Sequence, residues 1–269
     1  MIFSNFIRKI FSASFINQCK IGVGLKNSLS LELERISKCD RLKNGKTNLI
    51  CSDFEFIDSE SFINQYIEIF QNKILDFHSK QHSPKILDCG SNIGVSISYF
   101  KKIFPNCKII GFEPDPIIFE ILKKNITSLK TSNIELINAA IWYENTQLQF
   151  KSNGSDGGSL MKKGDLKVRA VNLIPYLNTK VDFLKVDIEG AEHDILPKLS
   201  GYLKNVQNLF LELHVHRNSA IQIEETFQLL RENGFRYKFD SLHKINFEAF
   251  KSVSKFDTQF NIFAINENT

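Results

Sequence analysis

The chain has 269 residues, with 34 Lys and Arg against 30 Asp and Glu for a formal net charge of +4, and it is 42% hydrophobic and 24% charged. That balance excludes a disordered, collagenous or disulfide-stapled protein and leaves one large globular domain, or one with a small appendage. The weak positive charge contains no Lys/Arg block, so no nucleic-acid partner is expected, and no apolar run is long enough for a transmembrane segment.

At the N-terminus Ile2, Phe3, Phe6, Ile7, Ile10 and Phe11 recur at helical spacing, with Arg8, Lys9 and Lys20 beside them. Ser4, Asn5, Arg8 and Lys9 interrupt the run, which argues against a secretory signal. Two readings remain: an amphipathic helix packed on the body, or a basic helix lying on a membrane surface. The five cysteines (Cys19, Cys39, Cys51, Cys89, Cys107) are odd in number and contain no C-x-x-C, which suits free thiols and a cytoplasmic location. Asn44-Gly45 reads as a turn, and 61–80 as a helix capped by Ser61. Residues 1–83 are therefore expected to form a mainly helical N-terminal extension that ends at Ser83-Pro84.

From Lys85 onward, across 84–269, strand and helix patterns alternate. Strands are predicted at 86–89, 108–113, 134–138, 181–186 and 208–215. Helices are predicted at 93–104, from Asp115 to about 129, at 189–199 and at 221–232. The segment 142–171 carries two alternating runs around a polar loop, 152–158. Two late runs, 235–239 and 259–265, suggest an antiparallel hairpin. The expected fold class is α/β, an open, mostly parallel sheet with helices on both faces.

In such a sheet, ligands bind outside the carboxyl ends of the strands. The first of these ends is Asp88-Cys89-Gly90-Ser91-Asn92-Ile93-Gly94, whose glycines allow a tight turn into a helix that offers free N–H groups to an anion. Glu113 ends the second strand, where an ionised carboxylate can accept from two ribose hydroxyls. A nucleoside-containing cofactor is implied. The nicotinamide fingerprint fails, because Asn92 and Val95 stand where its later glycines belong.

Residues 86–214 resemble the FkbM-type S-adenosylmethionine-dependent methyltransferases. The resemblance rests on the loop from Asp88 to Gly94, on Glu113-Pro114, on Asn138-Ala139-Ala140, on Leu184-Lys185-Val186-Asp187-Ile188-Glu189-Gly190-Ala191-Glu192, and on Glu212-Leu213-His214. It implies a class I, Rossmann-like fold with a seven-stranded sheet and S-adenosyl-L-methionine as cofactor. It also implies cofactor contacts from Asp88, Gly90, Ser91, Asn92, Gly94, Glu113, Asn138, Ala139 and Ala140. The loop from Ser155 to Ser159 resembles a family loop and reads equally as a substrate lid or a surface hairpin.

Side chains alternate along a strand, so Lys185, Asp187 and Glu189 share one face, as do Glu212, His214 and His216. Adjacency of these two strands in the family's fold makes Asp187, Glu189 and His214 the candidate catalytic residues, with His214 as general base. The expected reaction is metal-independent O-methylation of a small-molecule or carbohydrate hydroxyl. Two alternatives stay open: a divalent ion on Asp187, Glu212 and His214, and a non-catalytic protein that keeps the cofactor fold.

Overall fold

The structure is a computed structural model that describes residues 23–152, 158–160, 164–215, 220–241 and 258–267. The N-terminal amphipathic pattern, Cys19, His216 and most of the loop from Ser155 to Ser159 lie outside those residues.

The described chain begins with α1 (Val23–Ser37), the short antiparallel pair β1 (Gly45–Thr47) and β2 (Phe54–Phe56), and α2 (Ser59–Tyr66), which runs into a π-helical turn at Ile67–Gln71. The long helix expected at 61–80 therefore stops early, and the described part of the extension, expected to be mainly helical, also carries a short strand pair. Phe54, Phe56 and Phe62 are fully or almost fully buried, which is why so short a hairpin persists.

Next come β3 (Lys85–Cys89), α3 (Val95–Ile103), β4 (Lys108–Phe112), α4 (Pro116–Ser128), β5 (Ile134–Ile137), β6 (Ala140–Trp142), β7 (Thr146–Lys151), β8 (Ser159–Leu160) and β9 (Leu166–Asn172). The remainder is α5 (Ile174–Leu177), β10 (Val181–Val186), α6 (Glu192–Ile195), β11 (Val206–Val215), α7 (Ala220–Glu232), β12 (Phe235–Ser241) and β13 (Thr258–Asn266). Where a helix was expected at 189–199, α6 gives way to a 3-10 turn at Leu196–Leu199. Pro197 supplies no N–H there.

Seven strands form one sheet in the order β12-β13-β11-β10-β3-β4-β5. The five from β11 to β5 pair in parallel, whereas β13 runs antiparallel to β11 and to β12. Strands β6 to β9 make a separate four-stranded sheet. The chain leaves β3 toward β4 on one side and returns through β10 on the other, so the strand order reverses at β3/β10. A crevice opens at the carboxyl ends there.

Period-2 alternation sends neighbouring residues to opposite cores. Leu87, Leu184 and Leu209 pack with α6 and α7, while Ile86, Phe183 and Phe210 pack with α3, α4 and the N-terminal aromatics. The N-terminal segment thus shares a core with the sheet. Asn125 on α4 ties it further: its Oδ1 accepts from the Glu55 amide (2.7 Å), and its Nδ2 donates to the carbonyls of Glu55 (2.9 Å) and Ile93 (2.8 Å).

Candidate active site

A cleft lies at this crevice, lined from both sides of the strand-order reversal. The loop after β3 forms one wall. Gly90 holds φ +87°, and a Cβ there would stand 1.9 Å from the Asp187 carbonyl oxygen, so only glycine fits against the end of β10. The amides of Gly90 and Ser91 both donate to the Phe112 carbonyl (3.1 and 2.9 Å), which folds the loop back over β4.

Glu113 is almost wholly buried. Its Oε2 accepts from the Asn92 amide (2.9 Å) and its Oε1 from the Asp115 amide (2.9 Å). Burial pushes its carboxyl up to about 8, against the pull of those two hydrogen bonds. Each oxygen keeps a second lone pair for a ligand hydroxyl.

Among the sequence-predicted cofactor residues, Gly90, Ser91, Asn92, Glu113, Ala139 and Ala140 line the cleft. Three others do not. Asp88 has no exposed surface; its Oδ2 accepts from Ser96 Oγ (2.7 Å), and its Oδ1 lies 3.7 Å from Lys185 Nζ. Gly94, at φ +94°, faces α4, where a Cβ would stand 2.8 Å from Leu122 Cδ1 and 3.1 Å from Ile126 Cδ1. Asn138 spends its amide on the carbonyls of Glu113 (2.8 Å) and Pro114 (3.2 Å). These three shape the site from behind.

The opposite wall is acidic. Asp187, Glu189 and Glu212 line the cleft with Lys185 beneath them. Lys185 Nζ donates to Asp187 Oδ2 (3.0 Å) and to the Gly90 carbonyl (3.0 Å). Burial works against its charge, but the carboxylates of Asp187 and Asp88 outweigh it and hold the ammonium above its ordinary range. Glu212 is driven well above the ordinary carboxyl range by burial and then by the charge of Asp187.

His214 corrects the expectation of a general base. It shares the face of Glu212, as parity requires, yet it is fully buried and absent from the cleft lining. Its Nδ1 lies 3.2 Å from Glu192 Oε1, and its Nε2 lies 3.7 Å from Glu212 Oε1 and 3.9 Å from Glu189 Oε1. Burial disfavours its charge, but the hydrogen bond and charge of Glu192, with Glu189 and Asp187 nearby, raise it to about 9. At neutral pH it is already protonated and cannot take a proton from an acceptor.

Several contributors were given no site role by the sequence reading, Glu192 among them although it ends the quoted motif. Glu192, wholly buried, accepts from the amides of Ile188 (3.1 Å) and Gly190 (3.1 Å) and so clamps the loop in which Glu189 adopts φ +58°. Asn64, Gln65 and Glu68 bring the N-terminal segment to the cleft mouth, and Phe150 and Leu160 bring the small sheet. The polar face of a helix gives no sequence signal for the first three.

A family model of the methyltransferase FkbM domain matches residues 88–237, more than half of the chain. The chain is 26% identical over 211 residues to methyltransferase sdnD of Sordaria araneosa, covering 63% of this chain and 80% of that relative. It is 27% identical over 176 residues to methyltransferase 1 of Beauveria bassiana, covering 54% of this chain and 71% of the relative. The crystal structure of a methyltransferase FkbM from Methylobacillus flagellatus superimposes with a TM-score of 0.48 at 17% identity; the match covers 74% of this chain and 47% of that one.

Proposed function

The chain belongs to the methyltransferase FkbM family, enzymes that take their methyl group from S-adenosylmethionine, and on that premise we propose that it methylates a hydroxyl of a small molecule or carbohydrate. The observation that carries the proposal is the two-sided cleft, with the Gly90–Asn92 loop and Glu113 on one wall and carboxylates on the other.

The residues present suit the cofactor. Gly90 lets backbone approach a ligand closely, Glu113 has capacity for two ribose hydroxyls, and Phe112, Ile118 and Ile141 offer an apolar slot for the base. Ser96, in the first turn of α3, lines the same cleft where free amides favour a carboxylate. When bound, the cofactor supplies an electrophilic methyl group on a sulfonium.

The chain's own part is positioning and proton transfer. Asp187, fixed by Lys185, orients the acceptor hydroxyl, and the Glu189 carboxylate receives its proton. Glu192 keeps Glu189 in place through the loop amides. Lys185 is the one cation lining the cleft among the described residues, and it is engaged with Asp187 and Asp88. An acceptor without phosphate or carboxylate charge fits such a wall better than a nucleic acid does.

The experiment is untargeted mass spectrometry of cells with and without the gene, searching for metabolite pairs that differ by one CH₂ group. Fragmentation should place the methyl on oxygen. A methyl found on nitrogen or carbon overturns the hydroxyl assignment, and failure of the purified chain to bind S-adenosylmethionine overturns the cofactor assignment.

A further inference from the structure

We propose that Asn64, Gln65 and Glu68 of the N-terminal segment select the acceptor by binding a second hydroxyl beside the one that is methylated, so that the acceptor is a polyol of the sugar type rather than a lone alcohol. The proposal rests on the hydroxyl-methylation reading, and it draws on residues outside the matched domain, 88–237.

Helical spacing builds the strip. Residues three and four apart share a helix face, so Asn64, Gln65 and Glu68 stand together, half-buried, while Phe62, Ile63 and Tyr66 turn to the core. The π-helical turn Ile67–Gln71 continues α2 and brings both Glu68 and Ile69 onto the cleft lining. Such turns gather at functional sites. This one is firmly held. The Asn72 amide donates to the Ile67 carbonyl (2.8 Å) and the Ile74 amide to the Glu68 carbonyl (3.1 Å). Tyr66 stacks on Phe70 with ring centroids 5.1 Å apart, and Phe70 meets the edge of Tyr99 on α3 at 5.2 Å.

The strip faces the reacting end of the cleft. Strands β10 and β11 pair in parallel with Val186 opposite Leu211, so one further step sets Asp187 beside Glu212. Burial and then the charge of Asp187 hold the Glu212 carboxyl high, and the charge of Glu68 adds to them, which puts Glu68 within electrostatic reach of Glu212. From Asp187 the lining therefore runs through Glu212 to Glu68 and on to Asn64 and Gln65.

The chemistry of this lining names the class of acceptor. Each carboxamide both donates and accepts, and the carboxyls of Glu68 and Glu212 lie beside the apolar Ile69 and Phe210. A sugar-like ring carries hydroxyls on its edge and C–H groups on its faces, so it pairs with both kinds of surface. A lone alcohol on an alkyl chain would strip water from these polar groups and give them no partner, a mismatch that a site built on hydrogen bonds rejects.

The test is saturation-transfer NMR on the purified full chain in the presence of S-adenosylhomocysteine. The probes are methyl α-D-glucopyranoside, methyl α-D-mannopyranoside and methyl α-D-galactopyranoside, with cyclohexanol as a ring that bears one hydroxyl. At least one glycoside should receive saturation and cyclohexanol none. Glu68→Ala, and Asn64→Ala combined with Gln65→Ala, should each weaken the bound glycoside by at least about tenfold, with circular dichroism and S-adenosylmethionine affinity unchanged. In turnover, followed as S-adenosylhomocysteine release, the loss should fall on KM with kcat kept, the mark of binding lost equally from ground and transition state. Silence from all the glycosides, cyclohexanol bound as tightly as they are, equal affinity in wild type and variants, or a loss confined to kcat would overturn the proposal. The first two outcomes need no substitution. S-adenosylmethionine titrated into the same preparation keeps the two readings apart. Cofactor binding without glycoside binding sinks only the polyol proposal, and glycoside binding without cofactor binding sinks only the methyltransferase reading.

Discussion

Because the Glu113 carboxyl sits near pH 8, it is about nine-tenths protonated at pH 7 before any ligand arrives. Two ribose hydroxyls can both donate to it only once that proton has left. Hydrogen bonds to a charged group contribute about 1.5–3 kcal/mol each. Two of them would pull the carboxyl down by roughly 2–4 pH units, to about 4–6 in the complex. Cofactor affinity should therefore rise about tenfold per pH unit from about pH 6 and level off above about pH 8, gaining about 100-fold by pH 9. Isothermal titration calorimetry in two buffers of different ionisation enthalpy would also show a proton released on binding below pH 8. The cofactor's own amino group titrates in this window, so Glu113→Gln is the decisive comparison: it should bind weakly and lose the Glu113 part of the slope. An identical pH profile in wild type and variant would refute the reasoning.

Gly94→Val should lower stability by about 2–5 kcal/mol in urea denaturation, because it combines a positive φ with overpacking against Leu122 and Ile126. A fully stable variant that simply fails to bind cofactor would show that the packing argument is wrong. Protonated His214, raised to about 9 in the fold from about 6.5, contributes stability that is fully present below about pH 6.5. That contribution is lost as pH rises through about 9 and amounts to about 3 kcal/mol. Glu113 acts with the same sign between about 4.5 and about 8, so the cofactor-free chain should melt at a lower temperature at pH 9 than at pH 6.5. A melting temperature that rises over that interval would contradict both assignments.

The central sheet was legible because its strands are short apolar runs stopped by glycine, proline or acid, as at Ile86–Gly90 and Ile109–Pro114. The loop from Gly90 to Asn92 and Glu113 were legible for the same local reason. The β1–β2 pair was not, since three-residue strands show no periodicity and Phe54 and Phe56 are held by tertiary burial. The helix expected from Ser61 ended early although no proline or glycine marks the place; the chain simply turns at Lys73, φ +57°. Parity placed Glu212 and His214 on one face, but parity says nothing about depth. The carboxylates around it, Glu192 foremost, outweigh burial and set the charge of His214, and with it the difference between a base and a fixed cation. Gly94 shows the converse case, a motif glycine whose open side faces Leu122 and Ile126 of α4.

Asn125 has a consequence for the order of events in the cleft. Its one amide grips both the strand that leads into α2, whose residues reach the mouth of the cleft, and the carbonyl of Ile93 in the loop that would hold the methyl donor. If a molecule that orders the mouth also orders the loop, reciprocity requires that the donor favour the acceptor by the same factor. The N-terminal segment lies outside the matched domain, yet Asn125 and the shared aromatic core join it to the loop after β3.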